Sequence, residues 1–130
     1  MKRIYTIGYG GRSLRKFLEI LKDNGISMVV DVRRFPTSKN PDFKRENLEA
    51  SLREAGVGYM YLGDLLGGFR RGGYERYMES EEYRVGIEQL LKVMEEGMAV
   101  IMCKEKNVGG CHRRFISKTL VDLGVEVIHL

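Results

Sequence analysis

A chain of 130 residues with 43% hydrophobic side chains and two prolines has the size and apolar content of one domain folding around its own core. At that length roughly two thirds of the unfolded surface can be buried, so neither metal nor disulfide staples are needed, and a disordered or fibrous protein is excluded. The net charge of +4 arises in residues 1–65, where 12 basic residues face 8 acidic ones, against 10 and 10 beyond; this mild bias favours anionic partners and lacks the dense basic stripe of a nucleic-acid binder.

Met1 to Tyr5 leads directly into a strand-like run with no signal-peptide core, and no apolar stretch approaches the roughly 20 residues of a bilayer span, so a cytoplasmic protein that makes no membrane contact is expected. Arg3 to Gly8 reads as a strand closed by glycines, and Ser13 caps a helix with Leu14, Phe17, Leu18 and Leu21 on one stripe. Gly25 stops that helix, and Met28 to Val32, interrupted by Asp31, is a nearly continuous apolar run of the kind covered on both faces. A proline-bracketed loop from Phe35 to Phe43 precedes helical spacing over Lys44 to Glu54 and a third strand from Val57 to Leu62. The five glycines between Gly63 and Gly73 predict a loop, long enough to be functional. Tyr74 to Met78 reads as a short helix, and Ser80 opens a longer one that Gly97 ends. Met98 to Cys103 is a fully apolar strand, and a polar loop leads to Cys111, where another helix starts and runs to Gly124. Val125 to His129 is the last strand. Phe17, Tyr83 and Phe115 lie on amphipathic stripes and are expected in the core.

Five strands alternating with helices predict an α/β fold, a three-layer sandwich around a mostly parallel five-stranded sheet, Rossmann-like, in a single domain over residues 1–130. In such sheets ligands bind beyond the carboxyl ends of the strands, where the strand order reverses. An order of 3-2-1-4-5 would bring Tyr9 and Gly10 across one crevice from Cys103 and Glu105, with Cys111, His112 and Arg113 as a third wall. A helix start carries free N–H groups, and Arg113 and Arg114 add charge, so a thiol at Cys111 is placed for activation and anions are favoured beside it. Glu105 lies two residues beyond Cys103, on the same side of an extended chain, and is the natural general acid or base. Asp31 and Arg33 share a strand face; they either serve the crevice or pair with each other. Arg70, Arg71 and Tyr74 in and after the glycine loop suit a lid closing on an anionic ligand, or an irregular crossover.

Each reactive residue also has a plain reading. Free cysteine is among the most buried residue types, so Cys103 at the end of an apolar strand suits the core, His112 suits a packing role, and Arg113 suits a salt bridge to Asp31 or Glu105. With no export signal, a structural disulfide is not expected. Cys103, Cys111, His112 and Glu105 are acceptable zinc ligand types, but no C-x-x-C pair exists and no metal or other cofactor is assigned. Gly8-Tyr9-Gly10-Gly11-Arg12-Ser13 echoes the dinucleotide fingerprint, with Ser13 where the third glycine belongs and no second mononucleotide half in the chain. No Walker-type phosphate loop occurs, and the sixth residues after Cys103 and Cys111 are Gly109 and Ser117 rather than the arginine of a phosphatase loop.

Thr6-Ile7-Gly8 with its turn, Val30-Asp31-Val32-Arg33 with Pro36 and Ser38, Leu66-Gly67-Gly68 with Tyr74 and Tyr77-Met78, and Met102-Cys103-Lys104-Glu105 followed by Cys111-His112-Arg113 together resemble the bacterial and archaeal family called domain of unknown function 488. The resemblance covers nearly the whole chain. Members often carry histidine where this chain has Tyr9, and the family brings no established reaction, so the resemblance implies a fold and a site and no activity. Two functions stay open at this point. One is a small enzyme, a hydrolase or transferase using a thiol or carboxylate on an anionic, nucleotide-like small molecule. The other is a non-catalytic module that binds a nucleotide or nucleic acid.

Overall fold

The computed structural model describes residues 2–109 and 111–130. Its elements are β1 (Arg3–Gly8), α1 (Leu14–Asp23), β2 (Met28–Asp31), α2 (Arg45–Glu54), β3 (Gly58–Tyr61), the single turns α3 (Gly63–Leu66) and α4 (Tyr74–Tyr77), then α5 (Glu81–Glu96), β4 (Ala99–Cys103), α6 (Arg113–Asp122) and β5 (Glu126–His129). Local chemistry sets these bounds. Ser13 and Ser80 accept the N–H groups of Lys16 and Tyr83 at the starts of α1 and α5, while Gly25 and Gly124 adopt the left-handed backbone that lets the chain turn out of a helix. The glycine-rich segment after β3 contains one helical turn, α3, where the sequence suggested loop throughout; buried Leu66 supplies the anchor that composition alone does not reveal.

All five strands are parallel, in the order β3-β2-β4-β1-β5. β1 and β4 are neighbours as expected, but β4 also pairs with β2, which separates β2 from β1 and corrects the anticipated 3-2-1-4-5 order. Strand periodicity splits the core in two. Tyr5, Ile7, Val29, Val100 and Met102 face α1 and α2, through Phe17, Leu21, Leu48 and Leu52. Ile4, Val30, Ala99, Ile101 and Cys103 face α5 and α6, through Leu90, Val93, Ile116 and Leu120. Helices therefore cover both faces, with the central strands β2, β4 and β1 almost wholly buried and the edge strands β3 and β5 only partly so.

This order positions the site. The helices that follow β1 and β2 lie on one face, and those that follow β3 and β4 lie on the other. The chain leaving β4 thus turns away from the chains leaving both of its neighbours, which opens a crevice at the carboxyl end of β4, at Cys103.

Candidate functional site

A cavity of about 340 Å³ occupies that crevice, walled by Tyr9 after β1, Arg33 to Phe35 and Thr37 after β2, Gly68 and Phe69 after α3, Tyr74 in α4, Cys103 to Glu105 at the end of β4, and Cys111 and His112 before α6. The exits of β1 and β4 run against each other. The Tyr9 and Gly10 amides donate to the Cys103 and Lys104 carbonyls at 3.0 and 2.8 Å, and a Cβ at Gly8 would overlap the Glu105 carbonyl. Gly8 and Gly10 allow this close approach, and the Tyr9 and Gly10 amides are spent on the β4 exit rather than left free to cradle a phosphate. Gly10 itself is not among the cavity's lining residues, whereas the Tyr9 ring is, stacked at 4.4 Å on Phe43.

Cys111 and His112 form the most organised chemistry. The His112 Nε2 lies 2.9 Å from the Val32 carbonyl. A carbonyl only accepts, so Nε2 carries the proton and the neutral ring presents a bare Nδ1. That Nδ1 is 3.7 Å from the Cys111 sulfur, which also accepts the backbone N–H of Arg113 at 3.5 Å, at the first residue of α6. Burial, more than the nearby Arg113 and Arg70 charges, pushes the His112 pKa below its ordinary value, so the imidazole is neutral at pH 7. The ring is further held by Tyr74 at 5.5 Å, whose hydroxyl donates to the Leu66 carbonyl. The Cys111 sulfur thus faces the bare nitrogen of a neutral imidazole and the first amide of α6, and the Val32 carbonyl just after β2 fixes that ring.

Cys103 reaches the same point from the strand. Its sulfur and that of Cys111 are in bonding contact, and the two residues pair as a disulfide, which the argument from a reducing compartment did not anticipate. Period-two alternation puts Cys103 on the α6 face of β4, where the chain returns past it eight residues later.

Asp31 and Arg33 point to the opposite face and are committed to each other. The Arg33 Nε and one terminal nitrogen donate to the two Asp31 oxygens at 2.9 and 2.7 Å, a second terminal nitrogen donates to the Phe43 carbonyl at 2.6 Å, and the Tyr59 hydroxyl donates to Asp31 at 2.6 Å. Asp31 is fully buried and Arg33 is 5% exposed. This pair ties β2, β3 and the Phe35 to Phe43 loop together, and only the Arg33 side chain reaches the cavity wall. Arg113, 1% exposed, lies outside the lining. It donates to Thr6 at 3.0 Å and to the Glu105 carbonyl at 2.6 Å, which clamps the β4 exit onto β1. Burial, with the Arg12 charge, lowers its pKa to about 10, so it stays charged at neutral pH. Arg70 donates to the Gly63, Asp64 and Gly67 carbonyls and lies over the Tyr77 ring at 4.0 Å, and Arg71 is exposed; neither lines the cavity.

Several wall residues escaped the sequence reading. Phe35 and Phe69, 62% and 84% exposed, meet at 5.9 Å on the rim, and Arg34 donates to the Phe69 carbonyl while lying over the Phe35 ring. Phe69 holds a left-handed backbone with φ of 58°, rare for a non-glycine residue. An aromatic side chain beside arginine in a glycine- or proline-marked loop was the available signal. Arg34, Lys104 and Glu105 are the charged groups left on the wall once Arg33 is paired, a net of one positive charge. No three His, Cys, Asp or Glu residues are grouped to hold a metal among the described residues, and none of the described helices is long and apolar enough to cross a membrane.

A parallel sheet with helices on both faces, and a cysteine pair, an imidazole and a carboxylate gathered at the strand ends, defines an α/β protein with a strand-end crevice. The chain belongs to the family described as Domain of unknown function DUF488, whose family model matches residues 13–120, a span that holds every residue lining the cavity except Tyr9. No curated protein and no solved structure matches the chain.

Proposed function

We propose that this protein is a small enzyme that uses Cys111 as nucleophile on an anionic substrate with a planar apolar part. The single observation that carries the reading is the relay from the Val32 carbonyl through His112 to the Cys111 sulfur. With Nε2 tied to a carbonyl, Nδ1 takes the thiol proton, and the Arg113 amide at the start of α6 stabilises the thiolate that forms. Arg34 and Lys104 attract the anion, and Phe35, Phe69 and Tyr9 offer rings for a planar group. Glu105, a carboxylate exposed on the same wall, is placed to act as general base.

The test is alkylation of the fully reduced protein by iodoacetamide across pH, with Cys111 followed by peptide mass. Half-labelling at about pH 5 to 7 supports the reading, and His112→Gln should return it to about pH 8.5. Half-labelling near pH 8.5 in the unmodified sequence overturns it. The exposed Phe35 and Phe69 pair beside Arg34 favours a second reading, a non-catalytic module that stacks a nucleotide or single-stranded nucleic acid. That module would bind with steep salt dependence and would lose nothing on Cys111→Ser or Glu105→Gln.

A further inference from the structure

A nucleophilic enzyme needs one thiol, and this crevice holds two in contact. Independent parts of the fold bring them there. The register of β1 and β4 sets Cys103 opposite Gly8, and the Arg113 amide with the His112 ring sets Cys111. Their surroundings are unequal. Cys111 has the imidazole and the helix N-terminus, whereas Cys103 ends an apolar strand, is 2% exposed, and has Cys111 as its neighbour in the wall. That asymmetry is what thiol–disulfide exchange requires of an attacking and a resolving cysteine.

Resting on the reading of Cys111 as an activated thiol, we propose that Cys103 and Cys111 are a dithiol–disulfide couple that reduces small disulfides carrying carboxylates. The Cys111 thiolate, its proton passed to His112 Nδ1, attacks one substrate sulfur; a mixed disulfide forms, the substrate S–S bond breaks, and the departing thiolate takes that proton. Cys103 then attacks the Cys111 sulfur, forming the internal disulfide and expelling the second half of the substrate, which picks up the proton Cys103 loses. The protein dithiol is oxidised by two electrons and the substrate is reduced to two thiols; a small dithiol restores the starting state by the reverse exchange. Arg34 and Lys104 on the cavity wall supply the preference for acidic substrates, against the one carboxylate of Glu105.

The experiment mixes the reduced full chain, freed of reductant, with oxidised glutathione at pH 7 and follows intact mass and mapped peptides, with hydroxyethyl disulfide as the uncharged comparison. The expected result is a transient glutathione adduct on Cys111 that resolves to the internal disulfide, formed about 10-fold faster than with the uncharged disulfide. Cys103→Ser, and Cys103→Ala should the serine variant fold poorly, should form the adduct at the same rate and hold it. An adduct that persists in the unmodified sequence, an adduct on Cys103, or equal release with and without Cys103 overturns the couple. The alkylation profile separates the two failures: Cys111 labelling at low pH with no internal disulfide removes the couple and leaves the nucleophile, while ordinary labelling removes the nucleophile as well.

Discussion

Replacing Arg33 by methionine separates a scaffold role from a ligand role. The substitution keeps much of the side-chain volume but removes every charge-assisted bond that Asp31 receives from the guanidinium, leaving a fully buried carboxylate with the Tyr59 hydroxyl and the Arg33 amide as its donors. Breaking one half of a buried pair costs about 3 to 5 kcal/mol, because the abandoned charge keeps its desolvation penalty. For 130 residues the unfolding entropy is about 0.27 kcal/mol/K, so a loss of 4 kcal/mol lowers Tm by about 15 °C. Neutralising the partner as well, in Asp31→Asn with Arg33→Met, should recover at least half of that shift. Calorimetry on the three proteins checks it. A single variant within about 2 °C of the unmodified sequence, combined with lost ligand binding, would refute the reasoning and make Arg33 a binding residue.

Two other outcomes follow from the same geometry. Gly8→Ala puts a Cβ into the Glu105 carbonyl, backbone against backbone, and should cost about 3 kcal/mol by urea unfolding, with exchange protection lost first at the Tyr9 and Gly10 amides. His112 is held neutral by burial with a pKa below 6.5, so as pH falls through about 6.5 the unfolded chain takes up a proton that the folded one refuses, and stability drops until the lowered pKa is reached; urea midpoints at pH 7.5 and 5.5 should show the drop, and His112→Gln should reduce it, leaving the smaller part that His129 contributes in the same direction.

The strands and long helices were legible because each is a local matter of periodicity and caps: Met28 to Val30 and Ala99 to Cys103 are apolar throughout, and Ser13, Ser80, Gly25 and Gly124 punctuate the helices around them. The order of the strands was not, since nothing local to β4 records whether it inserts between β2 and β1 or beside β1 alone; both arrangements bury the same residues. The site was legible as a set of strand-end residues and illegible as a division of labour. Arg33 and Arg113 stand at strand and helix ends like ligand-binding arginines, yet each is used up within the fold, Arg33 by Asp31 and the Phe43 carbonyl and Arg113 by Thr6 and the Glu105 carbonyl. Likewise Cys103 and Cys111 each invited a reading as core or as nucleophile, and their meeting depends on how the β4 exit folds back.

The inserted position of β4 accounts for both the crevice and the chemistry placed in it. Because β4 has β2 on one side and β1 on the other, its exit is hemmed by two chains that leave toward the opposite face, and it must rise over the sheet edge before α6 can begin. Gly8 and Gly10 let that rise hug β1, and Arg113 pins it through the Glu105 carbonyl. The pinned loop returns at Cys111 directly over the strand it left, so Cys103 on the last residue of β4 meets Cys111 before α6, and His112 is brought within reach of the Val32 carbonyl just after β2. Under the order 3-2-1-4-5, β1 would stand between β4 and β2, and the thiol and the carbonyl that fixes its base would be a strand farther apart. The tautomer of His112, on which the proposed role of Cys111 rests, is therefore a consequence of strand order.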